Sequence, residues 1–201
     1  LGAGFPSRMT EFRKVGYRDG SVDLTALHAR PQDAIRAAVA IYPTFMNSTP
    51  AVEVKARQLV DAGYAVLIGD FYGPEAPENP EEAFAAMRTL RNDPPAMRQR
   101  LGATLDLLRT LHPDLPHLAI GFCLGGMAVL EMARAGQDLV AVCSFHGMLE
   151  TSLPANDPIK PRILVCHGDA DSLVPRPQVL AFWEEMDAIG ADWHFHSYAG
   201  V

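Results

Sequence analysis

The stretch Leu118-Ala119-Ile120-Gly121-Phe122-Cys123-Leu124-Gly125-Gly126 decides the fold of this chain. One apolar run leads into the cysteine and another, from Met127 to Ala135, leads out of it, which predicts a strand, a sharp turn and a helix. Glycines two residues before and after Cys123 give the spacing of a nucleophile elbow, where the turn closes only between small neighbours. The dipole of the following helix is expected to favour the thiolate of Cys123 over the thiol.

Two other interpretations of this turn stay open on the local sequence alone. The glycines could belong to an ordinary strand–helix turn with an inert cysteine, or to a degenerate phosphate-binding loop. The stretch lacks the Lys-Ser/Thr pair of a P-loop and the glycine spacing of a dinucleotide-binding turn, which disfavours the loop interpretation.

Outward from this turn, buried apolar runs alternate with helical segments. The predicted strands are 11–18, 22–28, 37–42, 64–68, 117–120, 139–145, 162–166 and 193–198. Helices are predicted to begin at Thr49-Pro50, at Asn79-Pro80, after Asp93-Pro94-Pro95, after Cys123 and at Pro175. The first two strands flank Asp19-Gly20 and predict an antiparallel hairpin at a sheet edge. The alternation predicts a single domain over residues 1–201, built on a mostly parallel central sheet with helices on both faces.

Composition and charge exclude several classes of function. The net charge is −7 and Lys and Arg do not cluster, so no nucleic-acid partner is expected. No apolar run reaches membrane-spanning length, and the N-terminus has no signal-peptide pattern. The three cysteines form no CxxC pair, which suggests a reducing compartment and a cytoplasmic location.

Ligands in sheets of this kind bind beyond the C-terminal ends of the strands. The candidate residues at those ends are Thr44, Phe45, Asp70, Tyr72, Cys123, His146, Asp169 and Asp171. A thiol nucleophile needs a base, and the base needs an orienting carboxylate. Asp171 suits the orienting acid because it lies between a strand and a helix; Asp169 is its nearest competitor. Asp70 is interpreted as a turn carboxylate that binds nearby amides.

The base is the missing member of this set. In folds of this kind the chain order is nucleophile, acid, histidine, and the histidines after Asp171 are His194 and His196. Both lie on one face of a predicted strand and are interpreted as ordinary strand residues. The pair lacks a third ligand at a recognisable spacing, so no metal is expected. His146 and His167 lie at strand ends but precede or adjoin the acid.

The sequence resembles the dienelactone hydrolase family of α/β-hydrolases. The resemblance covers residues 11–201 and is carried by Gly121 to Gly126, Ser144-Phe145-His146-Gly147, His167 to Asp171 with Val174-Pro175, and Gly63-Tyr64 through Asp70-Phe71-Tyr72-Gly73. It implies an α/β-hydrolase fold with Cys123 as nucleophile and Asp171 as triad acid. It also implies an oxyanion hole formed by the backbone N–H groups of Leu124 and Phe45, and no metal or organic cofactor.

The sequence departs from the family pattern at three places. The family's triad histidine follows the last strand in a Tyr-x-Gly-x-x-His pattern, of which Tyr198-Ala199-Gly200-Val201 matches the start. The histidine is therefore expected just past Val201, and the domain is expected to be truncated before its last helix. Thr44 stands where dienelactone-cleaving members have a Glu, and Pro74 stands where they have a carboxylate-binding Arg.

The expected function is hydrolysis of a small-molecule ester or lactone through a Cys-His-Asp triad. Thr44, Tyr72 and His146 are candidate residues of the substrate pocket. The alternatives are a non-catalytic binding or redox-sensing domain, and a thioesterase or acyltransferase with the same triad. An apolar sheet face left uncovered by the last helix would favour self-association, so a monomer or a homodimer is expected.

Overall fold

The computed structural model describes residues 11–201, so the first ten residues of the predicted domain lie outside the described part. The strands are β1 (Arg13–Asp19), β2 (Val22–Ala29), β3 (Ala37–Tyr42), β4 (Tyr64–Ile68), β5 (His117–Phe122), β6 (Ala141–Phe145), β7 (Arg162–Gly168) and β8 (Trp193–Tyr198). The helices are α1 (Pro50–Asp61), α2 (Pro80–Arg91), α3 (Pro94–Leu111), α4 (Leu124–Arg134) and α5 (Arg176–Ile189), with a short 3₁₀ helix at Gly73–Glu75.

The strands form one sheet in the order β1-β2-β4-β3-β5-β6-β7-β8. The first two strands make the antiparallel hairpin predicted around Asp19-Gly20, and β2 pairs antiparallel with β4. All other neighbouring strands run parallel. The C-terminal ends of β3 to β8 therefore lie along one edge of the sheet, where the candidate residues were expected.

Three helices begin at side-chain caps that the sequence predicts. The side chains of Thr49, Asn79 and Asp93 each accept a hydrogen bond from a backbone N–H in the first turn of α1, α2 and α3. Each cap is followed by a proline, which lacks the N–H that a first turn would leave unpaired. Caps of this kind stabilise a helix by about 1 kcal/mol and fix where the preceding loop ends.

The helices cover the sheet on both faces, as predicted. Residues of α1 pack with β3 and β4 in one apolar cluster, and residues of α3, α4 and α5 pack in a second cluster on the opposite face. Every residue of α4 is buried, because this helix lies against the centre of the sheet and against α3. The helix that follows Cys123 is therefore enclosed along its whole length.

The α1 face of the sheet is less covered over β5, β6 and β7. Apolar side chains there are only half-buried: Leu118, Ile120, Phe122, Cys143, Phe145, Leu164 and Cys166. The rings of Phe122 and Phe145 stack on this face with their centroids 5.1 Å apart. The expectation of a monomer or a homodimer stays a prediction. No helix within residues 11–201 combines the length and the apolar character needed to cross a bilayer.

Candidate active site

Cys123 lies on a strained turn between β5 and α4. Its backbone has φ 57° and ψ −114°, a conformation that residues other than glycine rarely adopt. A strained residue of this kind costs on the order of 1–3 kcal/mol and persists only when its surroundings hold it. The N–H of Cys123 donates to the carbonyl oxygen of Phe145 on the neighbouring strand at 3.0 Å, which is one such restraint.

The glycines that flank the cysteine are required by close backbone contacts. A Cβ atom on Gly121 would lie 1.8 Å from the carbonyl oxygen of Gly125, and one on Gly125 would lie 1.9 Å from that of Tyr42. The N–H of Gly125 also donates to the carbonyl oxygen of Pro43 at 3.0 Å. The steric reason given for the glycine spacing therefore holds, and the turn is joined directly to the end of β3.

Two backbone amides from different segments converge on the thiol. The N–H groups of Leu124, at the start of α4, and of Phe45, after β3, donate hydrogen bonds to Cys123 Sγ. Burial nevertheless raises the pKa of the thiol above its ordinary value, the two amides lower it, and the charge of Asp171 raises it further. The Leu124 amide at the start of α4 lowers the pKa, in the direction expected of the helix N-terminus, but the loss of hydration outweighs this effect.

The Phe45 amide belongs to a tight turn after β3. The N–H of Asn47 donates to the carbonyl oxygen of Thr44 at 2.9 Å, which closes the turn. The Thr44 hydroxyl accepts from the N–H of Met46 at 3.2 Å and donates to the carbonyl oxygen of Asn47 at 3.3 Å. Thr44 is a predicted pocket residue, and its hydroxyl forms hydrogen bonds with backbone groups of this turn.

Tyr72 lies beside the same turn. Its hydroxyl donates to the carbonyl oxygen of Phe45 at 2.8 Å. Burial, and to a lesser degree the charge of Cys123, raise the pKa of Tyr72 well above its ordinary value, so the phenol is neutral. Tyr72 also lines a cavity of about 540 Å³ together with Pro74 and Leu90.

The structure separates the two candidate acids. Asp171 follows β7, and its Oδ1 accepts a hydrogen bond from the N–H of Leu173 at 2.9 Å. It is the charged residue whose field acts on Cys123. Asp169 instead forms an exposed ion pair with Arg176 at 2.8 Å, which lowers the pKa of Asp169. The geometry thus favours the sequence-based preference for Asp171 as the acid near the thiol.

None of the described histidines contributes to the pKa of Cys123. His146 has φ 42° and an exposed side chain. His167 is 3% exposed, and its Nδ1 has no hydrogen-bond partner within the described residues. His194 and His196 are exposed strand residues on one face of β8, as expected. Within residues 11–201, no three His, Cys, Asp or Glu side chains are arranged to hold a metal ion.

Asn47 is a site residue that the sequence reasoning missed. Its Nδ2 donates to Asp70 Oδ1 at 2.8 Å, and its Oδ1 accepts from the N–H of Phe71 at 3.2 Å. Asp70 also accepts from the N–H groups of Tyr72 and Gly73, so its interpretation as a turn carboxylate is confirmed. The available signal was the residue type, since Asn tolerates positive φ and Asn47 has φ 64°.

A strained cysteine turn between a central strand and a buried helix, on a mostly parallel sheet with an antiparallel edge, defines the α/β-hydrolase fold. Within that fold, residues 24–201 match the sequence profile of the dienelactone hydrolase family. The chain belongs to the dienelactone hydrolase family.

Two curated relatives are similar to this chain. An uncharacterized protein of Caenorhabditis elegans is 37% identical over 117 residues, which is 57% of this chain and 64% of that protein. A carboxymethylenebutenolidase homolog of Mus musculus is 24% identical over 159 residues, which is 78% of this chain and 64% of that protein. The chain thus spans less than two thirds of the length of either relative.

Solved structures are similar over nearly the whole chain. The structure named m3DLH has a TM-score of 0.88 and 31% identity, and covers 96% of this chain and 83% of its own. A dienelactone hydrolase-like promiscuous phosphotriesterase from metagenomic libraries has a TM-score of 0.87 and 29% identity, with the same coverage. A dienelactone hydrolase described as putative, from Klebsiella pneumoniae, matches in fold with a TM-score of 0.75 at 20% identity, over 94% of this chain and 86% of its own.

Proposed function

We propose that this chain is a carboxylic ester hydrolase in which Cys123 is the nucleophile. One observation carries the proposal: two backbone N–H groups, from Leu124 and Phe45, meet at a single sulfur on a strained turn. Donors that converge beside a nucleophile are what an acyl-transfer site needs for the oxygen that becomes negative. Membership of the dienelactone hydrolase family supports the same class of reaction.

The proposed reaction has two steps. Cys123 Sγ, once deprotonated, attacks the carbonyl carbon, and the electron pair of the C=O bond moves to the oxygen held by the two amides. When that pair returns, the bond to the alkoxy oxygen breaks and the alcohol leaves with a proton. Water then attacks the thioester, which releases the acid and restores the thiol. Each oxyanion donor in such sites lowers the activation barrier by an amount on the order of 3 kcal/mol.

The proposal requires a base, because burial raises the pKa of the Cys123 thiol. We assign this role to a histidine in the segment after Val201, oriented by Asp171. The carbonyl oxygen of Val201 accepts a hydrogen bond from the N–H of Ala170 at 2.9 Å. A residue that closely follows Val201 would therefore start next to the loop that carries Asp171.

The proposed substrate is an uncharged ester with an apolar or aryl group. The charged residue that acts on the thiol is Asp171, whose negative field would repel a substrate carboxylate. The rings of Phe45 and Phe84 meet edge to face at 6.1 Å, and Phe84 is 51% exposed, so an apolar group has aromatic surface to contact. Arg91, a possible carboxylate partner, forms an ion pair with Glu150.

Hydrolysis of p-nitrophenyl butyrate by residues 1–201 and by a C-terminally extended chain tests the mechanism. We expect strong activity in the extended chain only, and loss of this activity in Cys123→Ala and Asp171→Asn variants. Cys143→Ala is the matched control, since Cys143 lies on β6 away from the turn. Equal, Cys123-dependent activity in both chains would contradict the assignment of the base.

Comparison with mono-p-nitrophenyl succinate tests the substrate class. This ester has the same leaving group and a carboxylate on the acyl chain, so we expect kcat/KM at least about tenfold below that of the butyrate. A preference for the succinate would contradict the proposal.

Mass spectrometry separates the hydrolase from a redox sensor: an ester should leave an acyl group on Cys123, and a sensor would be oxidised by peroxide without acylation. Sensor thiols have low pKa values, unlike Cys123.

A further inference from the structure

We propose that Asn47 and Tyr72 are positioning residues that hold the Phe45 amide at the nucleophile, an inference that rests on the proposed function. Neither side chain is assigned a contact with the reacting atoms. Each acts on the turn of residues 44–47, which contains the amide that reaches Cys123 Sγ. The turn follows the end of β3 and lies outside the sheet hydrogen bonding, so something other than the sheet must fix the position of this amide.

Asn47 clamps the turn to the segment after β4. Its side-chain amide donates to Asp70 Oδ1 at 2.8 Å and accepts from the N–H of Phe71 at 3.2 Å, so both ends of the amide are used. The same residue adopts φ 64°, which closes the turn. Two hydrogen bonds from one planar group fix both the distance and the orientation between the two segments.

Asp70 is a rigid partner for this clamp. It is 8% exposed, and its carboxylate also accepts from the N–H of Thr25 on β2 at 3.0 Å and from that of Gly73 at 2.9 Å. Its own N–H donates to the hydroxyl of Tyr17 on β1 at 3.0 Å. The clamp therefore connects the Phe45 turn to the antiparallel edge of the sheet.

Tyr72 restrains the other side of the same turn. Its hydroxyl donates to the carbonyl oxygen of Phe45 at 2.8 Å, two positions before Asn47 in the chain. Two hydrogen bonds thus hold the peptide group that carries the Phe45 N–H. One is from the Tyr72 hydroxyl to the carbonyl oxygen of Phe45, and the other is from the N–H of Asn47 to the carbonyl oxygen of Thr44. Small misplacements of a catalytic donor are costly, because the donor must meet the oxyanion at hydrogen-bond distance.

Asn47→Gly and Tyr72→Phe test the proposal without large steric change. Glycine keeps the positive φ and removes the clamp, and phenylalanine removes only the hydroxyl. Tyr64→Phe is the matched control, because Tyr64 lies at the opposite end of β4 and contacts Arg36. Thermal unfolding of each variant establishes that it is folded.

Two rates at Cys123 are compared in each variant, made in the C-terminally extended chain: acylation by p-nitrophenyl butyrate and alkylation by iodoacetamide, both followed by intact mass. Acylation develops an oxyanion, and alkylation at a CH₂ group does not. We expect each variant to lower the acylation rate about tenfold and the alkylation rate by less than about threefold, with Tyr64→Phe unchanged in both.

The possible outcomes separate the inference from the proposed function. If Asn47→Gly and Tyr72→Phe acylate as fast as Tyr64→Phe while the unmodified chain acylates at Cys123, the positioning role is wrong and the function stands. If both rates fall together, the residues only support the local fold, and the inference is again wrong. If the extended chain without these substitutions is not acylated at Cys123, the proposed function fails and the inference falls with it.

Discussion

The side chains of His28 and His112 meet head to head, with their Nε2 atoms 3.0 Å apart. Both rings are 8% exposed. One nitrogen must donate and the other must accept, so the contact is lost when both rings are protonated. Burial first, and then the charges of His112, Arg13 and Arg30, lower the pKa of His28 from 6.5 to about 4. The contact therefore makes the fold sensitive to acid.

We expect the free energy of unfolding to fall as the pH drops from about 6.5 towards about 4. In that range the unfolded chain binds a proton at His28 and the folded chain does not, so protonation favours unfolding. The contribution of His28 is on the order of 2 kcal/mol. Urea unfolding at neutral pH and near pH 4.5 measures it, and His28→Gln should reduce the difference between the two conditions.

His194→Gln provides the control for the loss of a histidine, because His194 is exposed on β8 and lies outside the buried pair. An equal acid sensitivity of the unmodified chain and the His28→Gln variant would show that other groups cause it. Glu11 and Arg30 line the same cavity as the histidine pair and are kept unchanged in both chains.

Gly125→Ala should disrupt the elbow. The added Cβ would lie 1.9 Å from the carbonyl oxygen of Tyr42 and 2.5 Å from that of Pro43, both rigid backbone atoms. We expect a loss of more than about 3 kcal/mol in stability and the loss of Cys123-dependent activity. Gly102→Ala in α3 is the control: no atom lies within 4 Å of its added Cβ, so the change should stabilise by up to about 1 kcal/mol. Similar effects of the two substitutions would contradict this account.

The ionisation of Cys123 is open to direct measurement. Burial and the charge of Asp171 raise its pKa, so the rate of alkylation at Cys123 should still increase with pH above about pH 9. Removing the carboxylate charge in Asp171→Asn should favour the thiolate and lower that pKa. Peptide mass spectrometry resolves Cys123 from Cys143 and Cys166. An alkylation profile that levels off near neutral pH would contradict the predicted ionisation.

Glu131→Gln should be strongly destabilising. Glu131 is fully buried and pairs with Arg134 at 3.1 Å and with Arg98 at 2.8 Å. Removing its charge leaves Arg134, only 5% exposed, with less compensation, so we expect a cost of about 3–5 kcal/mol by chemical denaturation. Asp106→Asn is the control, since its pair with Arg109 is exposed and should contribute less than about 0.5 kcal/mol. If Glu131→Gln does not change the free energy of unfolding, the remaining ion pair between Arg134 and Glu185 is sufficient to compensate the charge of Arg134.

The sequence predicts the order of strands and helices well because those signals are local. A turn dipeptide marks the hairpin at Asp19-Gly20, and Thr49, Asn79 and Asp93 mark the helix starts, all as observed. The glycine spacing around Cys123 is equally visible in the local sequence, although the carbonyl oxygens that exclude a Cβ atom at Gly125 lie at the end of β3, far away in the chain. A short sequence pattern therefore identifies each of these features.

Two properties of the site depend on distant contacts and could not be predicted in the same way. The net pKa shift of Cys123 is controlled mainly by burial, which the hexapeptide around it does not encode, so the sequence indicated the effect of the helix N-terminus but not the direction of the net shift. The role of Asn47 depends on a partner at Asp70, 23 residues away, whose position follows from the pairing of β3 with β4. Residue type alone indicated a turn at Asn47 but no partner.

The elbow is joined to both neighbouring strands, through the N–H of Cys123 to Phe145 and the N–H of Gly125 to Pro43. Its strained backbone is unfavourable in isolation, so the turn can form only after chain segments from either side have assembled around it. The reactive cysteine should consequently mature late in folding, since those contacts are distant in sequence. During refolding, the rate at which an ester labels Cys123 would then report when the central sheet is complete.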